Sequence, residues 1–300
     1  MKRPLALQKG DKISIVAPSR SISFEEVYPS MKLFQKWGYE VVLGTNIFNR
    51  INQYSGTDDQ RAADLQQVLD DESVKAIICA RGGYGTVRII DRLDFTRFCD
   101  HPKWIVGYSD ITVIHSHVHQ QFGIETIHAL MPCNITSEEI KNDSTETLKY
   151  ALSGVGLQYV IPGTPLNREG KTEGILTGGN LSILYSLMGS VSQIMTEGKI
   201  LFLEDVDEYL YHIDRMMMNL KRAGMLKNLK GLIIGGMDRM NDNQVPFGKT
   251  AQEIIANAVA EYDYPVCFNF QAGHSSKNVA MILGRRISMS VGTEVKIDFC

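Results

Sequence analysis

Three residues of this chain stand where a hydrolase would need them. Ser109 lies in Gly107-Tyr108-Ser109-Asp110, directly behind the apolar run Lys103-Trp-Ile-Val-Gly107, and an amphipathic stretch begins at once behind it. A serine on a strand-to-helix turn holds its hydroxyl above the sheet edge, beside backbone N–H groups that suit the oxyanion of acyl transfer. The five-residue nucleophile elbow is incomplete, because Ile111 occupies the place of its second glycine. A serine here is equally a helix N-cap, a role also open to Asp110 or Thr112. Glu204 ends the run Ile200-Leu-Phe-Leu203, and His274 follows the run ending at Phe270. Taken singly, Glu204 reads as a solvated acid and His274 as a turn residue. As strand-end residues of an open α/β sheet, all three can meet where such sheets bind ligands. The chain order Ser, Glu, His is permissible because triads are defined by geometry.

Arg81-Gly-Gly-Tyr-Gly85 is the second chemical signal. Adjacent glycines let a backbone approach a ligand closely and can form an anion-binding nest. Half of an oxyanion hole, a dinucleotide loop and a plain tight turn all fit, although Arg88 stands where the dinucleotide fingerprint wants a small residue. His115, His117 and His119 would share one face of a strand and resemble metal ligands. On the helix that the surrounding pattern predicts, only His115 and His119 share a face, and no HExxH motif accompanies them. The run Met216-Met-Met218 reads as core.

The elements that must position these residues alternate. Strands are expected at 12–17, 39–43, 74–80 and 103–107, with helices after Ser23, over 59–69, through Val87, Ile90 and Leu93, and over 110–122. Ser23 and Glu26 have capping-box spacing, while Pro29 argues for a later helix start. This alternation predicts a parallel sheet covered by helices, a flavodoxin-like α/β domain over residues 1–150. Polar residues, then glycines and prolines, mark 151–174 as a linker. Strands at 199–203, 231–234, 266–270 and 295–299, with helices at 213–224 and 251–262, predict a second, mixed-sheet α/β domain over 175–300.

Composition narrows the partners. Of 300 residues, 44% are hydrophobic and 22% charged, with a formal net charge of −3. This balance gives no electrostatic reason to expect nucleic acid or an anionic membrane. No apolar run approaches the ~18–20 residues of a membrane span. Pro4, Gln8, Lys9 and Asp11 follow Lys2 and Arg3 too soon for a signal-peptide apolar region. The five cysteines are scattered without CxxC spacing, so a disulfide framework and a zinc knuckle are not expected, and a reducing cytoplasm is.

Several stretches together resemble the LD-carboxypeptidase family of serine peptidases, which includes muramoyltetrapeptide carboxypeptidases and microcin C self-immunity peptidases. They are Ile15-Val-Ala-Pro-Ser19, Arg81-Gly-Gly-Tyr-Gly85, Pro102 to Thr112 around Gly-Tyr-Ser-Asp, Gly174-Ile-Leu-Thr-Gly-Gly-Asn-Leu181, Leu203-Glu-Asp205, Ile213-Asp-Arg215 and Gly273-His274. The resemblance implies Ser109 as nucleophile, His274 as general base and Glu204 as its orienting carboxylate. It also implies an oxyanion hole from the N–H groups of Asp110 and Gly83. It further implies a homodimer with no metal or cofactor, acting on murein tetrapeptide. Arg81, Asn180 and Arg215 are candidates for binding polar substrate groups. A peptidase for peptide–nucleotide conjugates would share the triad, whereas a non-catalytic ligand-binding protein would not need its three members to meet. Val206-Asp-Glu-Tyr-Leu-Tyr211 departs from the glycine and proline-rich stretch common in the family, which bears on the shape of the adjoining pocket.

Overall fold

The computed structural model describes residues 1–300. The chain opens with β1 (Lys12–Val16), α1 (Phe24–Lys36), β2 (Glu40–Leu43), α2 (Asp58–Asp70) and β3 (Val74–Cys79). It continues through α3 (Thr96–Asp100), β4 (Trp104–Gly107), α4 (Thr112–Phe122) and β5 (Thr126–His128). The strands lie in the order β2-β1-β3-β4-β5, all parallel, which is the flavodoxin-type arrangement. Helices cover both faces, so the central strands are rich in buried apolar residues: Ile13, Ile15, Ile77, Ile78, Ile105 and Val106 are fully shielded from solvent.

The capping box at α1 forms as the spacing predicts, with Glu26 N–H donating to Ser23 Oγ at 3.3 Å and Ser23 N–H to Glu26 Oε2 at 2.9 Å. Such a cap contributes about 1 kcal/mol. The helix does not start later on account of Pro29, which sits inside it. The helix expected through Val87, Ile90 and Leu93 is replaced by two single 3-10 turns, Thr86–Arg88 and Ile90–Arg92. Gly85 at φ 143° opens the first of them, and Thr86 N–H donates to the Asp110 carboxylate at 2.9 Å rather than entering an α-helical ladder.

The second half contains α5 (Asp143–Ser153), β6 (Gln158–Pro162), β7 (Gly170–Asn180), α6 (Leu181–Ser186), β8 (Ile200–Val206) and α7 (Leu210–Arg222). These are followed by β9 (Gly231–Asp238), α8 (Ala251–Ala258), β10 (Val266–Cys267), β11 (Met281–Leu283), β12 (Arg286–Val291) and β13 (Glu294–Phe299). A mixed sheet of order β10-β9-β8-β7-β12-β13-β6 results, parallel from β10 to β7 and antiparallel beyond. Residues 151–174, expected as a linker, carry the end of α5, the edge strand β6 and the start of β7.

The halves interlock. β11 leaves the second half and pairs antiparallel with β5, completing a six-stranded first sheet. A core of 42 buried residues runs from Leu7 to Phe299 through both sheets. Glu125 and Arg285 form a buried two-pronged pair across the junction, with Nε at 2.9 Å and Nη2 at 2.6 Å. No helix is long and apolar enough to cross a membrane. Cys79 and Cys267 are buried in the core, and all five cysteines are free.

Candidate active site

Ser109 occupies the turn between β4 and α4 with φ +62°, a left-handed conformation that non-glycine residues rarely adopt. That strain is what a sharp strand-to-helix turn imposes, and it keeps the half-exposed serine off the helix axis. The turn is anchored from beneath by Asp110, whose buried Oδ2 accepts hydrogen bonds from Thr86 N–H at 2.9 Å, from Thr86 Oγ1 at 2.7 Å and from Ser19 Oγ. One carboxylate therefore binds the ends of β1, β3 and β4 together. Ser19 lies in the Ile15-Val-Ala-Pro-Ser19 stretch, but neither it nor Thr86 shows this role in sequence, because the spacing along the chain is long.

The glycine loop covers the serine. A Cβ placed on Gly82 would sit 2.9 Å from Ser109 Oγ and 3.4 Å from Asp110 N, so only glycine lets this backbone lie so close. The N–H groups of Gly82 and Gly83 donate to no backbone carbonyl.

Glu204 stands near the end of β8, fully buried, and Oε2 accepts the hydrogen bond from His274 Nδ1 at 2.7 Å. Gly273, at φ +111°, permits this approach: a Cβ there would meet Glu204 Oε2 at 2.7 Å. The imidazole, 15% exposed, packs on the Tyr108 ring at 4.7 Å between centroids, next in sequence to Ser109. No hydrogen bond joins Ser109 Oγ to the ring; such contacts commonly tighten only when substrate binds. Burial of the ring works against its protonation, but the hydrogen bond and charge of Glu204, with Asp205 behind it, prevail and hold the His274 pKa above its ordinary value.

Asp205 faces away from His274. Its carboxylate accepts from Asn180 Nδ2 at 3.0 Å, Ser182 N–H at 2.9 Å and Val206 N–H at 2.9 Å. Burial and the charge of Glu204 push it up to about 7 against these donors. Asn180 is thus committed to Asp205 and to capping α6, while its own N–H donates to Thr112 Oγ1 at 3.1 Å, linking β7 to the helix behind Ser109. Arg81 pairs with Glu26 at 2.9 Å, and Arg215 lies over the Tyr211 ring at 5.1 Å on α7. In the departing segment Asp207 takes φ +60° and His212 Nδ1 contacts Glu208 Oε2 at 2.6 Å.

The histidine row lies buried on α4 and its members have separate partners. His115 Nε2 bonds to Gly107 O at 2.9 Å, His117 Nδ1 to Ser192 Oγ at 2.9 Å and His119 Nε2 to Thr126 Oγ1 at 3.1 Å. Desolvation depresses His115 to about 4 and His119 to about 3, so both are neutral core residues at physiological pH. No group of three His, Cys, Asp or Glu side chains is arranged to hold a metal ion. Met216 and Met217 are core, while Met218 is exposed.

Residues 13–129 match the LD-carboxypeptidase N-terminal domain and residues 173–289 its C-terminal domain. The chain belongs to the LD-carboxypeptidase family. It is 32% identical to a probable murein peptide carboxypeptidase of Bacillus subtilis, over 98% of this chain and 93% of that one. A murein tetrapeptide carboxypeptidase of Pseudomonas aeruginosa is 25% identical, with 91% of each chain covered. The crystal structure of muramoyltetrapeptide carboxypeptidase from Oxalobacter formigenes superposes with a TM-score of 0.88 at 24% identity, covering 96% of this chain and 98% of that one, a likeness of fold. The protein is accordingly a carboxypeptidase of this family.

Proposed function

We propose that this LD-carboxypeptidase releases the terminal D-alanine from murein tetrapeptide by acyl transfer through Ser109, His274 and Glu204, in the recycling of peptidoglycan in the cytoplasm. The observation that carries this reading is the 2.7 Å bond from His274 Nδ1 to buried Glu204, with the imidazole tilted against the Tyr108 ring beside the strained turn of Ser109. With Nδ1–H committed to the carboxylate, the neutral ring has its lone pair at Nε2, the tautomer a general base requires. Nε2 takes the Ser109 proton as Oγ attacks the carbonyl carbon of the L-centre. The oxyanion is met by N–H groups of Asp110 and Gly83. Collapse breaks the C–N bond, His274 returns the proton to the departing amine, and water then hydrolyses the acyl-enzyme by the same base. Free cysteines throughout accord with a reducing compartment.

Ser109→Ala should lower kcat for D-alanine release from murein tetrapeptide by on the order of 10⁶ while leaving thermal unfolding in place. Near-parent turnover by that variant would remove Ser109 as nucleophile. Failure of the unsubstituted protein to cleave the tetrapeptide would remove the substrate.

A further inference from the structure

At the start of the glycine loop that covers Ser109 lies a cavity of about 490 Å³ whose walls include Arg20, Arg50, Arg81, Glu26, Phe24 and Phe48. Three guanidinium groups face one carboxylate there, and that carboxylate is already engaged: Glu26 Oε1 pairs with Arg81, and Oε2 accepts from Ser23 N–H. Arg50 makes one long contact, from Nε to Asn52 O at 3.4 Å, and neither it nor Arg20 is paired with an acidic side chain. The cavity is thus a cationic recess with unspent hydrogen-bond donors.

Its position relative to Ser109 is set by the glycine loop. A Cβ placed on Gly82 would lie 2.9 Å from Ser109 Oγ, and one placed on Gly83 would meet the Arg20 stem at 3.0 Å (Cβ) and 3.2 Å (Cδ). Ser109 and the Arg20 stem therefore flank successive glycines of one loop. The carboxylate of a terminal residue lies about 3.5 Å, one residue's span, beyond the scissile carbonyl. An enzyme that removes a single terminal residue must tell a chain end from a chain interior, and the free carboxylate is the group that differs. A planar guanidinium can take both of its oxygens.

Resting on the acyl-transfer reading above, we propose that Arg20 and Arg50, with Arg81 fixed by Glu26 as the far wall, bind the terminal carboxylate of the departing D-amino acid. Arg20 is the discriminating contact because its stem lies against Gly83 and, unlike Arg81, it is paired with no carboxylate. The recess then makes the enzyme an exopeptidase: a substrate continuing past the D-residue brings a neutral amide to a site built for an anion.

The test compares D-alanine release from murein tetrapeptide with D-alaninamide release from its C-terminal carboxamide. The parent should favour the acid by on the order of 100-fold in kcat/KM, and in Arg20→Gln and Arg50→Gln that ratio should fall at least tenfold. An unchanged ratio in both variants, with the parent cleaving tetrapeptide, overturns the subsite and leaves the proposed function standing. A second measurement is independent of turnover: N-acetyl-D-alanine and its amide titrated into Ser109→Ala protein by NMR. Preference for the acid, lost on adding Arg20→Gln, supports the subsite even where the tetrapeptide is not cleaved; equal shifts with both ligands sink it. Both arginines are exposed, so circular dichroism should show the variants folded.

Discussion

Glu204 and Asp205 are adjacent, both buried, and chemically different. Glu204 faces the imidazole, whereas Asp205 gathers the N–H groups at the start of α6 and the end of β8. Glu204→Gln keeps the shape but offers the wrong partner to Nδ1, and kcat should fall by up to ~10⁴. Asp205→Asn should hold kcat within about tenfold while costing about 1–3 kcal/mol of stability, read as a lower Tm, because an amide cannot accept from all of those donors. A dead, well-folded Asp205→Asn beside a near-normal Glu204→Gln would reverse the assignment. The pH profile checks the same contact. His274 must be neutral to act as base, and Glu204 raises its pKa, so activity should fall as pH drops from above the ordinary imidazole value near 6.5. With the carboxylate gone, desolvation and the charge of Arg239 are opposed by Asp205 alone, and the His274 titration, followed by NMR in Glu204→Gln, should move to lower pH.

Among the elements, the turn at Ser109 depends on partners far from it in sequence. Replacing Asp110 by Asn leaves Thr86 N–H, Thr86 Oγ1 and Ser19 Oγ on a neutral amide oxygen in place of Oδ2, and puts an NH2 group where the buried Oδ1 has no partner. A loss of about 1–3 kcal/mol is expected, with a fall in kcat of on the order of 100-fold as the turn shifts. A drop in Tm with kcat intact would show that the turn holds its shape without this anchor. The same long-range wiring explains what the sequence displays and what it conceals. β1, β3 and β4 are legible because strands buried on both faces are rich in apolar residues, interrupted only by Ser14 in β1 and Lys75 in β3 beyond their first residues. The strand-end positions of Ser109, Glu204 and His274 follow from those runs. β7 is hidden because Gly170-Lys-Thr-Glu-Gly begins it, and its support comes from pairing with β12 and β8 rather than from its own side chains. The turns at 86–92 defeat the apolar spacing of Val87, Ile90 and Leu93 because Gly85 and the Asp110 bond select a different backbone. Asn180 was legible as important, but its amide serves Asp205 and the α6 cap. Arg20 belongs to no quoted chemical motif; only the folded loop brings it beside Gly83.

At the scale of the molecule, the shared core, the Glu125–Arg285 pair and β11 on the edge of the first sheet join the halves into one unit. Calorimetry should therefore give a single unfolding transition; two resolved transitions would mean that the sheets melt separately. The loop bearing His274 shows how close this union is. At one end it leaves the β10 side of the mixed sheet. At the other, Asn278 N–H donates to Ser144 Oγ at 2.9 Å and Ala280 N–H to Thr147 Oγ1 at 3.0 Å, both on α5, before β11 joins the first sheet. The loop is a strap between two bodies. Ser109 precedes His274 by 165 residues, so a chain synthesised only as far as α4 carries the proposed nucleophile without the proposed base. On the proposed assignments, a nascent chain cannot close its site before the segment from His274 to β11 has been made.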